Sequence, residues 1–161
     1  MQAVILAAGE GQRLGPLTET RPKPMVPVAN QPLMEFTLEA AVAAGVTEVV
    51  LVVGHRRERI QNHFGDGDEW DVPVEYVVQD HQLGAAHALL EAADAVADEF
   101  LVLNGDQCLT APMIARLRDR WAQTGTPTVT VTRSDDPVEY GAVELDGDRV
   151  ESVSALPTTE T

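Results

Sequence analysis

Lysine is almost missing from this chain: of eleven basic residues ten are arginines, and Lys23 stands alone. Cysteine is as scarce, since Cys108 has no partner for an internal disulfide, which excludes a disulfide framework and suits a reducing cytoplasm. Cys108 is expected to serve as a small buried apolar residue. Aromatic residues make up only 4% of the sequence, and no apolar run approaches the length of a membrane span. The apolar opening at residues 1–9 is too brief for a signal sequence and lacks a basic leader, so a cytoplasmic location is expected. Positive charge is short as well. The 26 acidic residues leave a formal charge of −15, spread along the chain, and such a surface repels nucleic acid and anionic lipid. Neither a nucleic-acid partner nor a membrane is therefore expected. Dispersed acidity with so little lysine resembles the surfaces of halophilic proteins from salt-rich cytoplasm, where screening removes the self-repulsion.

What is present describes an ordinary folded domain. At 161 residues the chain is read as one domain, long enough to bury roughly 70% of the surface that its unfolded form exposes. With 44% apolar residues in runs separated by polar punctuation, disorder is not indicated.

Residues 2–8 form a continuous apolar run that ends at glycine, the pattern of a strand buried on both faces. Leu33, Phe36, Thr37, Leu38, Ala40, Ala41, Val42 and Ala44 predict a helix of about three turns that stops at Gly45. A second strand follows at 48–53, which completes a βαβ unit. Residues 55–64 read as a short polar helix, 65–69 as a loop and 74–78 as a third strand. The alanine-rich stretch 83–97 reads as a helix, 100–103 as a fourth strand, and Pro112 opens a helix that runs to about Gln123. A fifth strand is expected at 128–132, then a hairpin of 142–145 and 149–153 around Asp146-Gly147-Asp148. The expected fold is therefore α/β: a Rossmann-like, mainly parallel sheet with helices on both faces and a C-terminal β-hairpin.

The chemistry concentrates after the first strand. Leu6-Ala7-Ala8-Gly9-Glu10-Gly11-Gln12-Arg13-Leu14, followed by Arg21-Pro22-Lys23-Pro24-Met25, places a glycine-rich turn, an arginine and the one lysine where a parallel sheet opens at its carboxyl ends. Lysine is a compact point charge and arginine a planar fork, so the two are not interchangeable at a phosphate. Gly9 and Gly11 let backbone N–H groups approach an anion, although a plain strand-to-loop turn would use them too. The spacing Gly9, Gly11, Gly15 departs from the dinucleotide fingerprint, and no acid ends the second strand where a ribose would need it. A P-loop is excluded because no Gly-Lys-Ser/Thr follows.

Together these segments resemble the sugar-1-phosphate nucleotidyltransferase (nucleotide-sugar pyrophosphorylase) family, whose signature runs Leu-Ala-Ala-Gly-x-Gly-x-Arg-Leu and on to Pro-Lys-Pro-Met. The resemblance implies that Gly11 and Arg13 hold a triphosphate, that Lys23 neutralises the reacting phosphates, and that Leu6, Ala7, Ala8 and Gly9 lie beside the base and ribose. A second segment, Gln79-Asp80-His81-Gln82-Leu83-Gly84-Ala85, is similar to the family's base-reading stretch, with Gln79 and Gly84 at the edge of a pyrimidine. A glutamine amide offers a donor and an acceptor, which suits uracil or thymine. Ala85 stands where the family usually has threonine. Leu103-Asn104-Gly105-Asp106 resembles the segment that carries the metal aspartate, so Asp106 is implied as a Mg²⁺ ligand; a loop-capping role would also explain it. Mg²⁺ needs only one or two protein carboxylates beside phosphate oxygens. Tyr140-Gly141 resembles the family's sugar-contacting pair, with Gly141 as the sugar residue.

The implied reaction joins a nucleoside triphosphate, UTP or dTTP favoured, to a sugar-1-phosphate, giving a nucleotide-sugar and pyrophosphate. The alternative is a module that binds nucleotide without turnover. The resemblance reaches only the nucleotide-binding, N-terminal part of the family domain, and Ser154-Ala155-Leu156-Pro157 stands where a Glu-Lys-Pro segment would be expected. A sheet edge left open there predicts self-association into a homo-oligomer. His55, His63, His81 and His87 lack tight metal spacing and read as solvated or core residues, and Arg116, Arg118 and Arg120 read as solvated surface.

Overall fold

The computed structural model describes residues 1–9, 11, 14–133 and 142–154. It divides into two compact units, Met1–Thr124 and Gly125–Thr161. In chain order the first unit contains β1 (Gln2–Ala7), a short pair β2 (Pro27–Val28) and β3 (Gln31–Pro32), α1 (Leu33–Ala43), β4 (Glu48–Val53), α2 (Arg57–Phe64), β5 (Val74–Val78), α3 (Ala85–Glu91), β6 (Phe100–Asn104) and α4 (Ala111–Thr124). Four of its strands form a parallel sheet in the order β5-β4-β1-β6, the α/β arrangement expected from the alternating pattern.

The period-two rule explains how one sheet feeds two cores. Ala3, Ile5 and Ala7 of β1 stand beside Val49, Leu51 and Val53 of β4 on one face, and pack against Leu38 of α1, Ile60 and Phe64 of α2 and Ile114 of α4. Val4, Val50 and Val52 point the other way and meet Ala88 and Ala92 in and after α3. Helices therefore cover both faces.

Helix ends show where local and distant forces meet. At the end of α1, Gly45 adopts φ +87°; its N–H donates to the Val42 carbonyl while that of Val46 reaches Ala41. This is a Schellman closure, which the glycine made foreseeable. Arg118 of α4 donates to the remaining Ala44 carbonyl, so it is not the plain solvated residue that its spacing suggested. The alanine-rich helix is shorter than expected, ending at Glu91 rather than near residue 97. Beyond that end Gln2 of β1 holds the chain from across the fold: its Nε2 donates to Ala95 O at 3.1 Å and its Oε1 accepts from Ala97 N at 2.8 Å. Ala92, Ala93 and Ala95 donate to carbonyls three residues back in tight turns, while Ala95 O and Ala97 N bond to the Gln2 side chain.

Three other differences follow from the same logic. The β2–β3 pair turns through Ala29 and Asn30, both at positive φ, and two-residue strands carry no period to read. Residues 128–132 form no ladder, and Val129 and Val131 are exposed; β propensity makes a strand only where a partner exists. Cys108 is exposed rather than buried, because it lies in the loop beyond the end of β6. In the second unit the expected hairpin forms as β7 (Ala142–Asp146) and β8 (Arg149–Ser154), antiparallel, with Gly147 at φ +58° in the turn. No helix among the described residues is long and apolar enough to cross a membrane.

One tyrosine gives the fold a pH dependence. Tyr76 donates its hydroxyl to Gly65 O at 2.7 Å, and burial, reinforced by Asp66, pushes its pKa from 10.0 up to about 12. The folded state favours the neutral phenol, so this contribution is complete below pH 10 and is lost as pH rises through about 12. In Tyr76→Phe, which cannot ionise, urea-unfolding curves collected across that range are expected to show a shallower alkaline loss. An unchanged slope would refute the assignment.

Candidate active site

The site grows from the carboxyl ends of the strands. The chain leaves β1 toward β4 on one side while β6 lies on the other, and helices α1 and α3 pack on opposite faces. A crevice opens at such a reversal because the two connections diverge. Here it is a cleft of about 290 Å³ lined by Leu6 and Ala7 at the end of β1, Ala8 and Gly9 beyond it, Gln79, Gln82, Gly84, Ala85 and Ala88 after β5, Asn104 and Asp106 at the end of β6, and Lys23 and Pro24.

Eight residues singled out in the sequence therefore share one wall: Leu6, Ala7, Ala8, Gly9, Lys23, Gln79, Gly84 and Asp106. Gly11 stands directly behind Lys23. It has φ +67°, and a Cβ there would lie 2.7 Å from Lys23 Cβ, so the lysine stem rests against bare backbone. Thr18 Oγ1 holds this turn by donating to Gly11 O at 3.0 Å. Arg13, Tyr140 and Gly141 lie outside the described residues.

Tight backbone contacts set the depth of the floor. Gly105 continues the β1–β6 ladder by donating to Leu6 O at 2.9 Å, and a Cβ at Gly105 would meet that oxygen at 3.1 Å. Asp106 thus leaves the sheet immediately beside the end of β1. Gly54 meets Ala8 in the same way, with a Cβ only 2.9 Å from Ala8 O. Gly9 differs, since a Cβ there would meet no atom of the described residues within 4 Å. Among the described residues, no packing contact demands glycine at that position.

Charge in the cleft is balanced across its mouth. Lys23 Nζ lies 2.6 Å from Asp106 Oδ2, and both side chains are about one-third exposed, at 33% and 37%. Lys23 sits in a 3₁₀ turn, Lys23–Met25, entered through Pro22 and closed by Val26 N donating to Lys23 O at 3.0 Å. Prolines on both sides of the lysine pre-set the backbone that aims it. Among the described residues no group of three or more His, Cys, Asp and Glu side chains could hold a metal. Asp106 is a single hard oxygen donor, and suits a hard cation that draws its other ligands from phosphate and water.

Sequence reasoning missed Gln82, Asn104 and His87. Gln82 Nε2 donates to Ala8 O at 2.8 Å and ties the loop after β5 to the end of β1. His87 Nδ1 lies 2.9 Å from Gln79 Nε2. All three lie within or next to the quoted motif segments, but a polar residue in a loop or near the end of a short element carries no period that says where it points.

The Nucleotidyl transferase family matches residues 2–161. A low-salt glycan biosynthesis nucleotidyltransferase of Haloferax volcanii is 36% identical over 148 residues, which are 91% of this chain and 42% of that protein. A glucose-1-phosphate thymidylyltransferase of Streptomyces griseus is 36% identical over 146 residues, 90% of this chain and 41% of that one. A UTP–glucose-1-phosphate uridylyltransferase of Haloferax volcanii is 42% identical over 111 residues, 69% of this chain and 45% of the relative. The chain thus spans less than half the length of these relatives. Among solved structures, UDP-glucose pyrophosphorylase complexed with UDP-glucose has the same fold, with TM-score 0.79 at 20% identity over 97% of this chain and 68% of that one. The chain belongs to the nucleotidyl transferase family, as the motifs around Gly9, Lys23 and Asp106 implied.

Proposed function

We propose that this chain forms the nucleotide site of an enzyme that joins UTP or dTTP to a sugar-1-phosphate, releasing pyrophosphate. The observation that carries the reading is the convergence of Lys23 and Asp106 at 2.6 Å in one cleft with Gly9 and Gln79. A sugar-1-phosphate oxygen attacks the α-phosphorus; the bond from that phosphorus to the bridging oxygen breaks, and pyrophosphate leaves with the bonding pair. No covalent enzyme intermediate is required. Such transfers depend on positioning and charge stabilisation.

Each residue then has a task. The open space at Gly9 lets the chain's backbone come close to the nucleotide. Lys23, relieved of Asp106 by incoming phosphate oxygens, stabilises pyrophosphate as its charge develops, and Arg13 joins it there. Asp106 would hold Mg²⁺, which neutralises charge on the phosphate oxygens. Gln79 and Gly84 read the base, and Gly141 the sugar. The thymidylyl- and uridylyltransferase relatives support the choice of triphosphate.

Pyrophosphate release by the chain with Mg²⁺, glucose-1-phosphate and each nucleoside triphosphate in turn tests the reading. Release is expected with UTP or dTTP and only when both substrates are present. Mg²⁺-dependent nucleotide binding without release would favour the binding-module reading, and no binding would sink both.

A further inference from the structure

We propose that His87 is a positioning residue that makes Gln79 a pure hydrogen-bond acceptor, and so selects a pyrimidine that carries a ring N–H. This rests on the nucleotide-site reading above. A glutamine amide can ordinarily donate or accept, and so reads opposite base edges equally well. In this cleft it cannot. Gln79 is 4% exposed, and its Nε2 lies 3.2 Å from Gly84 O and 2.9 Å from His87 Nδ1. A carbonyl only accepts, so the Gly84 contact fixes which end of the amide is nitrogen. The second N–H then goes to His87.

That second bond needs a particular tautomer of the imidazole. His87 Nε2 lies 3.2 Å from Glu91 Oε1, one turn along α3, and the carboxylate favours a hydrogen on Nε2 because it can only accept. Nδ1 is then bare and takes the Gln79 hydrogen. Both amide hydrogens are spent inside the protein. Among the described residues nothing donates to Gln79 Oε1, and Gln79 lines the cleft.

An acceptor alone discriminates between bases of equal size. Uracil and thymine present an N3–H to it. Cytosine presents a bare N3, and two facing lone pairs repel while each loses its water. With His87 removed, the Gly84 contact alone holds the amide, and Gln79 can turn to donate to cytosine at the cost of that one bond.

The test is calorimetric titration of the whole chain with Mg²⁺-UTP and Mg²⁺-CTP. The unaltered chain is expected to prefer UTP. His87→Ala should lower the UTP-to-CTP affinity ratio about tenfold, most of it through UTP or through a gain for CTP. His87→Asn should restore the ratio, because the asparagine Oδ1 can occupy the position of Nδ1 and accept. Glu91→Ala lies on the exposed side of α3 and frees the tautomer without opening the cleft; it should lower the ratio in the same direction, and it stands in if His87→Ala does not fold. A merely structural role would weaken both nucleotides alike. An unchanged ratio in His87→Ala and Glu91→Ala, with UTP still preferred by the unaltered chain, overturns the role of His87 and leaves the nucleotide site standing. A chain that binds neither nucleotide, or shows no preference, overturns this inference together with the base assignment beneath it.

Discussion

Replacing Lys23 with alanine is expected to lower the rate of pyrophosphate release about 100- to 1,000-fold, which is roughly 3 to 4 kcal/mol of lost transition-state stabilisation. The argument starts from geometry. The ammonium is held at the mouth of the cleft by a proline-bracketed turn, with Gly11 leaving room for its stem. Its partner at rest is Asp106, an acid of the same site. An exposed pair of this kind contributes about 0 to 1 kcal/mol to stability, so the melting temperature of Lys23→Ala should hardly move. A large kinetic loss with a small thermal one separates a residue kept for phosphate from one kept for folding. Lys23→Arg should recover only part of the rate, since a planar fork does not replace a point charge. Near-normal turnover in Lys23→Ala would remove the residue from the mechanism.

Phe64→Ala should show the opposite behaviour. This ring is 2% exposed; it meets His63 edge-on at 4.8 Å and Trp70 at 5.2 Å, and it belongs to the core beneath β4 and α1. Truncating a fully buried phenylalanine costs about 3 to 5 kcal/mol, through lost transfer energy and an unfilled cavity. Against a typical domain stability of roughly 5 to 15 kcal/mol, that is a large share. The urea midpoint should fall accordingly, and a loss below about 1 kcal/mol would mean that the site collapses around the smaller side chain. His63 and Glu35, 2.6 Å apart, bridge α2 to α1 over the same region and limit such a collapse.

The two variants also show how far the sequence could be read. The α/β order, the stop of α1 at Gly45 and the hairpin at Gly147 were all foreseeable, because glycine and hydrophobic period act through neighbours in the chain. The helix expected over residues 83–97 spans only Ala85–Glu91, for the opposite reason. Ala95 and Ala97, in its expected C-terminal part, bond to the side chain of Gln2, more than ninety residues away in sequence. The strand at 128–132 has the composition of a strand and no partner among the described residues. Propensity describes what a segment can do, whereas pairing depends on what lies beside it.

Within the cleft the division is similar. The sequence by itself determined which residue types line the cleft, since glycine, lysine, glutamine and aspartate stand in the motif segments that lead into it. It also drew attention to Lys23 as the chain's one lysine. Only the tertiary structure decided that Lys23 and Asp106, 83 residues apart, face each other, and that His87 and Gly84 both stand within hydrogen-bond reach of the Gln79 amide nitrogen. Hydrogen-bond direction and ion pairing depend on ångström-scale distances between separate elements, and no local pattern in a chain encodes those distances.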